Sequence, residues 1–214
     1  MKLFLASYRF GDHHTRFAEL VGPGARIAVI AAAADAWPAA ARASAVTSEL
    51  APLRRAGYDA EELDVRDFAH SPRTLEQALR TFDGVWVRGG NTFVLRAQLA
   101  RTGADGVLEH LVRGGELVYA GYSAGAAVAT PTLIGLDVTD DPSDVLPTCG
   151  IEPVWTGLGL VDFAIVPHGG SSVLEDPAAT AKTVAVLTAE KIPFRVLSDQ
   201  QVVVVDGGGE PSVI

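Results

Sequence analysis

The stretch ELVYAGYSAGAAVA, residues 116–129, passes from an apolar run into an alanine-rich run, with a serine at the boundary. A strand-like run followed by helix-forming residues predicts a strand-to-helix turn centred on Ser123. Gly121 and Gly125 complete the pattern G-x-S-x-G, which in this context indicates a serine whose hydroxyl projects at the carboxyl end of a strand. A serine is also a favoured N-cap of a helix. The pentapeptide alone therefore leaves Ser123 open as either a nucleophile or a turn residue.

Apolar runs of strand length alternate with longer amphipathic runs along the rest of the chain. This alternation predicts a mostly parallel sheet covered by helices on both faces, in one α/β domain spanning residues 1–214. Strands are predicted at 2–7, 26–34, 60–65, 84–90, 116–121, 163–168, 194–199 and 201–207. Helices are predicted at 37–56, 74–82, 92–113 with a break near Gly103, and 174–190. Residues 131–162 lack a clear period, so we expect a long loop there, and such loops are usually functional or disordered.

The composition of the 214-residue chain limits its partners and its location. A net charge of −9 disfavours nucleic acid, because that binding depends on lysine and arginine replacing counterions. No run approaches the roughly 20 apolar residues of a membrane span, and the first residues lack the features of a signal peptide. Cys149 is the single cysteine, which excludes an internal disulfide and an all-cysteine metal site. We therefore expect a cytoplasmic protein without a membrane or nucleic-acid partner.

A nucleophilic serine needs a base, and the chain has five histidines. Four have ordinary structural explanations: His13 and His14 lie in a polar loop, His70 precedes SPRT, and His110 lies in a predicted helix. His168 differs because it ends the apolar run FAIVPH. The carboxyl ends of parallel strands share one edge of the sheet, where open α/β folds place their sites. We therefore expect His168 to lie at the same sheet edge as Ser123.

The carboxylate that would orient this histidine has several candidates. Asp199 ends the next predicted strand, FRVLSD, and is expected at the same sheet edge. Four further aspartates lie in the long loop, at Asp137, Asp140, Asp141 and Asp144. Their spacing lacks the glycine and the terminal glutamate of an EF-hand calcium loop, so we interpret them as a solvated acidic loop.

The segment RGGNTFVL, residues 88–95, is a second strand-to-helix junction. Gly89 and Gly90 carry no side chains, so the backbone there can approach a ligand closely. The same residues also fit a plain glycine turn in which Asn91 or Thr92 caps the next helix.

Taken together, and in this order along the chain, RGGNTF, GYSAGA and PHG resemble the peptidase E family of serine peptidases, which includes aspartyl dipeptidases and cyanophycinases. The resemblance covers roughly residues 80–170. It implies a fold similar to class I glutamine amidotransferases, with Ser123 as the nucleophile and His168 as its base. No metal and no cofactor are implied.

The same resemblance assigns an oxyanion hole to the backbone of Gly89, Gly90 and Ala124. We further expect Asn91 and Tyr122 to contact the substrate. It places the acid of the triad on Asp199 in LSDQ, where the family has a glutamate. An aspartate in the loop after the nucleophile is also a candidate in the family, which keeps Asp140 and Asp141 as alternatives.

Aspartyl dipeptidases need a cation that pairs with the substrate's carboxylate, and an arginine is expected soon after the histidine. The stretch GGSSVLEDPAATAK, residues 169–182, contains no arginine, which leaves Lys182, Arg88 and Arg16 as candidates. The resemblance therefore implies a serine peptidase acting on short peptides, a dipeptidase with a preference for an N-terminal acidic residue.

Two other classes of function stay open. An α/β-hydrolase esterase shares G-x-S-x-G but orders its triad as serine, acid, histidine, and the 45 residues from Ser123 to His168 leave little room for that order. A non-catalytic domain that binds a small molecule is the other alternative, because a fold does not dictate its function. A small peptide is the expected partner of the leading interpretation. The sequence leaves the oligomeric state, monomer or homodimer, undecided.

Overall fold

Nine strands lie in the residues that the computed structural model describes, which are 1–69, 71–171 and 173–214. They are β1 (Lys2–Ala6), β2 (Arg26–Ile30), β3 (Asp59–Glu62), β4 (Gly84–Val87), β5 (Val118–Tyr122), β6 (Ala164–Val166), β7 (Phe194–Val196), β8 (Val202–Asp206) and β9 (Ser212–Val213). Seven of them form the main sheet, in the order β3-β2-β4-β5-β1-β8-β9. The strands from β3 to β1 in that order are parallel, whereas β8 is antiparallel to β1 and β9 is antiparallel to β8.

The helices in the described residues connect these strands. They are α1 (His14–Val21), α2 (Ala39–Arg55), α3 (Pro72–Leu79), α4 (Thr92–Thr102), α5 (Ala104–Arg113), α6 (Ala124–Ala127), α7 (Val145–Cys149) and α8 (Pro177–Ala189). Gly103, with φ +72°, separates α4 from α5 at the predicted break. Of the helices in the part of the chain that is described, none combines the length and the apolar character needed to cross a membrane.

Each face of the main sheet has its own apolar core. Successive residues of a strand point to opposite faces, so Leu3 and Leu5 of β1 pack with α3, α4 and α5, whereas Phe4 and Ala6 pack with α1 and α2. Strand β4 is buried on both faces, as expected for a parallel strand between two helical layers. The fold is α/β, with a mostly parallel sheet and helices on both faces, which confirms the predicted class.

Strands β6 and β7 lie outside the main sheet, which corrects the expectation that they end at its edge. They pair in parallel with each other and form a sheet of two strands. Ala164 and Val166 pack with Leu187 of α8, whereas Ile165 joins the main core beside Ala124. Strand β9 pairs with the outer side of β8. The edge of β8 is therefore occupied, and β6 and β7 do not extend the main sheet there.

Other elements also differ from the prediction, and residues 32–34 at the end of the predicted strand 26–34 form a 3-10 helix. His14 begins α1 rather than lying in a polar loop, and His13 occupies the N-cap position of that helix. Residues 131–162 contain two short 3-10 helices and α7. Strand β9 was not predicted. These elements are short, and α1 has few buried apolar residues, so their sequences carry little periodicity. His70, which was given an ordinary structural explanation from the sequence, lies outside the described residues.

Candidate active site

Ser123 occupies a sharp turn at the carboxyl end of β5, directly before α6. Its backbone has φ +50° and ψ −116°, an unusual conformation for a residue with a side chain, and strain of this kind is concentrated at functional sites. The Ser123 N–H is held by the carbonyls of Ala6 and Ser7, each at 3.1 Å. Ser123 occupies the N-cap position of α6, but its side chain makes no capping hydrogen bond, so the hydroxyl is not used as a helix cap.

The two glycines of the pentapeptide are required by close backbone contacts. A Cβ at Gly121 would lie 2.6 Å from the Gly125 carbonyl oxygen, and a Cβ at Gly125 would collide with the Val87 carbonyl oxygen. The turn can therefore form only because both positions lack side chains.

His168 lies directly beside Ser123. Its Nε2 is 3.1 Å from Ser123 Oγ, and the residue is 8% exposed. His168 follows β6 and has φ +61°, another strained conformation. The next residue fixes this turn, because the Gly169 N–H donates to the Leu197 carbonyl oxygen at 2.8 Å.

Asp199 lies on the opposite side of the imidazole ring. Its Oδ1 is 2.7 Å from His168 Nδ1, so serine, histidine and aspartate form a continuous chain of hydrogen bonds. Asp199 follows β7, the partner of β6, and this pairing brings the two residues together. The structure thus places Ser123, His168 and Asp199 in contact.

The alternative acids have other partners. Asp140 accepts the backbone N–H of Thr92 at 2.9 Å, and burial raises the pKa of its carboxyl group. Asp141 is exposed and accepts the Ser143 N–H at 2.8 Å, a hydrogen bond that lowers its pKa. Within the described residues, neither carboxylate has a hydrogen bond to His168.

The glycine pair after β4 lies against the serine. A Cβ at Gly89 would be 3.0 Å from Ser123 Cβ, and a Cβ at Gly90, where φ is +145°, would be 2.6 Å from the Ala33 carbonyl oxygen. In the part of the chain that is described, no acceptor is assigned to the N–H of Gly90 or of Ala124. Both groups are therefore free to donate to an oxygen atom near Ser123.

Asn91 is an N-cap, as the glycine-turn interpretation allowed, and its assignment as a substrate contact stays a prediction. Its Oδ1 accepts the N–H groups of Phe93 and Val94, at 2.9 and 3.1 Å. Its Nδ2 donates to the Asp141 carbonyl oxygen and to Asp144 Oδ2. The amide is fully used in joining α4 to the loop at 141–144.

A cavity of about 320 Å³ opens above Ser123 and is named here the arginine cavity. It is lined by Tyr8, Arg9, Trp37, Arg88, Gly89, Gly90, Tyr122, Ser123, His168 and Leu174. Tyr122 contributes its ring, since its hydroxyl donates to Glu49 Oε1 at 2.8 Å. Burial raises the pKa of this phenol, so it stays a proton donor to Glu49.

Arg88 is the buried cation of the arginine cavity. The residue is 9% exposed, and its guanidinium lies 5.0 Å from the centre of the Trp37 ring. Its Nε is 3.6 Å from Glu49 Oε1, and among the described residues Nε and Nη1 have no hydrogen-bond partner. An arginine with unused donors can bind a carboxylate with two parallel hydrogen bonds.

Glu49 supports this wall of the cavity and was missed by the sequence interpretation. It is 2% exposed, accepts the Trp86 Nε1–H at 2.9 Å, and lies 3.8 Å from Arg9 Nη1. Two guanidinium groups thus face one carboxylate, which leaves an excess of positive charge. Glu49 lies within an alanine-rich helix, where a glutamate ordinarily faces solvent, so its sequence gave no signal of this role.

The other two candidate cations lie elsewhere. Arg16 is paired with Glu19 and Asp206, and Asp206 lies opposite Lys2 at the amino end of β1, away from the site. Lys182 is an exposed residue of α8 and lines neither cavity at the serine.

A second cavity, of about 330 Å³, also borders Ser123 and is named here the acidic cavity. Thr92, Asp140 and Glu175 line it, together with Ser123 and His168. The serine and histidine therefore line two cavities, one with arginines in its wall and one with carboxyl groups. In the described residues no group of three or more histidine, cysteine or acidic side chains is arranged to hold a metal ion.

Comparison with known proteins identifies the family. The model of peptidase family S51 matches residues 8–211. The chain belongs to this family. Among curated members of known sequence, peptidase E of Streptomyces coelicolor is 43% identical over 100 residues, which are 47% of this chain and 36% of that protein. The "Probable alpha-aspartyl dipeptidase" of Drosophila melanogaster is 37% identical over 99 residues, 46% of this chain and 38% of that protein.

A solved structure extends the similarity to the whole S51 chain. The "Putative Peptidase E Protein" from Listeria monocytogenes superposes with a TM-score of 0.78 at 27% identity, over 100% of this chain and 97% of that one. In sequence, the match spans about half the length, or less, of the curated relatives. The assignment of residues 1–214 to one domain stays a prediction.

Proposed function

We propose that this S51 protein is a serine peptidase that hydrolyses short peptides. The observation that carries the proposal is the hydrogen-bonded chain from Ser123 Oγ through the His168 ring to Asp199, with distances of 3.1 and 2.7 Å. A serine activated by an oriented histidine is the arrangement used for nucleophilic attack on an acyl carbon.

The proposed mechanism begins with the tautomer of His168. Asp199 accepts a hydrogen bond from the Nδ1–H group, so the Nε2 lone pair faces the hydroxyl of Ser123. Ser123 Oγ attacks the peptide carbonyl carbon while His168 Nε2 takes its proton. The histidine then gives that proton to the leaving amine, and water hydrolyses the acyl-enzyme by the same route.

The oxyanion of the tetrahedral intermediate would accept hydrogen bonds from the N–H groups of Gly90 and Ala124. The proximity of the glycine pair to Ser123 supports this assignment, as does the absence of an assigned acceptor for either N–H among the described residues. Each such donor contributes roughly 10²–10³ in rate in enzymes where one has been removed.

For the substrate we propose a dipeptide with a preference for an acidic N-terminal residue. The name of the Drosophila relative, "Probable alpha-aspartyl dipeptidase", supports this substrate class. The positive excess of the arginine cavity also supports it, and we assign the carboxylate contact to Arg88 rather than to Arg16 or Lys182. The small volumes of the two cavities, about 320 and 330 Å³, suit a substrate of one residue on each side of the scissile bond.

The alternatives make different predictions. A non-catalytic binding domain predicts ligand binding without turnover. An esterase predicts activity on p-nitrophenyl esters far above that on any peptide. We further propose a cytoplasmic location and a hydrolysis that uses no metal, cofactor or nucleic-acid partner.

The experiment that tests the proposed function is hydrolysis of Asp-Leu, Asn-Leu and Ala-Leu, followed by chromatographic detection of free leucine. We expect Asp-Leu to have the highest kcat/KM, and Ser123→Ala to abolish turnover of every peptide. Leucine release that persists in Ser123→Ala would contradict the assignment of the nucleophile. Equal rates on all three peptides would contradict only the acidic preference.

A further inference from the structure

We propose that Ser7 is a positioning residue of the triad, whose hydroxyl holds His168 and Asp199 in the arrangement that activates Ser123. This inference rests on the proposed peptidase function. Ser7 follows β1, the strand between β5 and β8, and is completely buried. Because Ala6 lies opposite Tyr122 in the parallel register, Ser7 is level with Ser123.

Ser7 contacts each of the three triad residues. Its carbonyl oxygen accepts the N–H of Ser123 at 3.1 Å. Its Oγ accepts the backbone N–H of His168 at 2.7 Å and lies 3.3 Å from Asp199 Oδ1. One residue directly after β1 thus joins the turn after β5 to both segments that follow the small sheet.

The direction of these bonds follows from the protons available. A serine hydroxyl has a single proton to donate. The His168 amide can only donate, so Ser7 Oγ accepts from it, and the hydroxyl proton is left for Asp199. Oδ1 of Asp199 then accepts from both Ser7 Oγ and His168 Nδ1, at 3.3 and 2.7 Å. Because Oδ1 accepts the Ser7 hydroxyl, it presents lone pairs rather than a proton to the imidazole, and this favours the tautomer with its proton on Nδ1 and with Nε2 facing Ser123.

The same hydroxyl stabilises the strained backbone of His168. With φ +61°, His168 adopts a conformation that residues with side chains rarely adopt. The bond from its N–H to Ser7 on one side and the Gly169–Leu197 bond on the other hold the turn in place. Without the Ser7 hydroxyl, both the ring position and the carboxylate orientation would lose a partner.

The experiment compares Ser7→Ala with Ser7→Thr and a matched control. Thr102→Val removes another buried hydroxyl, one that donates to the Gln98 carbonyl oxygen at 2.8 Å far from the triad. For Ser7→Ala we expect kcat to fall roughly 10- to 100-fold with KM nearly unchanged, the loss typical of a hydrogen bond to a charged group. We expect Ser7→Thr to recover part of that loss and Thr102→Val to retain wild-type kcat.

A spectroscopic measurement separates positioning from a merely structural role. The proton on His168 Nδ1 should give a low-field NMR resonance in the wild type, which shifts or broadens in Ser7→Ala and not in Thr102→Val. An unchanged resonance, or a kcat equal to that of the control, would overturn the proposal. If Ser7→Ala does not fold, Ser7→Cys replaces it under the same criteria.

Failure of this proposal is distinguishable from failure of the proposed function. If the protein is not a peptidase, the wild type shows no turnover that depends on Ser123. The NMR resonance would still report whether Ser7 orders His168 and Asp199.

Discussion

His168 Nε2 lies 3.1 Å from Ser123 Oγ, although the two residues follow strands of different sheets. Ser123 ends β5 of the main sheet, whereas His168 follows β6 of the two-stranded sheet. Ile165 of β6 lies in the same apolar core as Ala124, directly after the serine. The packing of the small sheet against the turn therefore sets the distance between the proposed base and nucleophile.

Asp199 is predicted to be the acid of the triad. Asp199→Asn should lower kcat/KM for peptide hydrolysis at least about 100-fold, because the neutral amide does not stabilise the imidazolium and can donate to Nδ1, which favours the wrong tautomer. Asp141→Asn is the matched control and should have little effect, since Asp141 is exposed and asparagine also caps a turn. A larger loss in Asp140→Asn than in Asp199→Asn would show that the wrong carboxylate has been chosen.

Arg88 is predicted to bind a substrate carboxylate. Arg88→Met should reduce kcat/KM for Asp-Leu by roughly 10- to 100-fold, the value of a charge-assisted hydrogen bond, and change that for Asn-Leu much less. Arg88→Lys should restore activity only in part, because lysine lacks the planar pair of donors. Arg16→Met is the control, because Arg16 lies away from the site, and it should leave both rates unchanged. An equal loss on Asp-Leu and Asn-Leu would assign Arg88 a structural role.

Gly90 is predicted to be essential for turnover. Gly90→Ala places a methyl group 2.6 Å from the Ala33 carbonyl oxygen at φ +145°, so the loop must move and carry its N–H away from the oxyanion. We expect a loss of kcat of roughly 10²-fold or more. Gly106→Ala is the control: Gly106 lies in α5 with open space around its Cβ position, and alanine there should stabilise the helix by about 0.5–1 kcal/mol. Normal kcat in Gly90→Ala would remove that N–H from the mechanism.

Cys149 is predicted to be irrelevant to catalysis and slow to react. The residue is buried, and burial raises the pKa of its thiol to about 11, so the thiol is protonated at neutral pH. The reactive thiolate becomes abundant only as the pH approaches that value, and access still requires opening of the fold. Treatment with N-ethylmaleimide at pH 7 should leave peptide hydrolysis intact, with modification measured by intact mass. Rapid inactivation by this reagent would contradict the prediction.

The sequence predicted those parts of the fold and site that depend on local chemistry. Three features are visible in the amino-acid sequence itself: the change from a strand-like to a helix-like pattern at Ser123, the glycines that flank this serine, and the glycine between α4 and α5. The contribution of Glu49 and Ser7 was not visible, because each is an ordinary helix or strand-end residue until tertiary packing buries it beside the site. The meeting of His168 and Asp199 was expected for a different reason, a shared sheet edge, whereas the actual cause is the pairing of β6 with β7.

The central claim, that Ser123 is an activated nucleophile, is tested most directly by a fluorophosphonate probe and peptide mapping by mass spectrometry. The account predicts a single stoichiometric adduct on Ser123, no adduct in Ser123→Ala, and much slower labelling in His168→Ala. Folded wild-type protein that is not labelled, or an adduct on another serine, would contradict it.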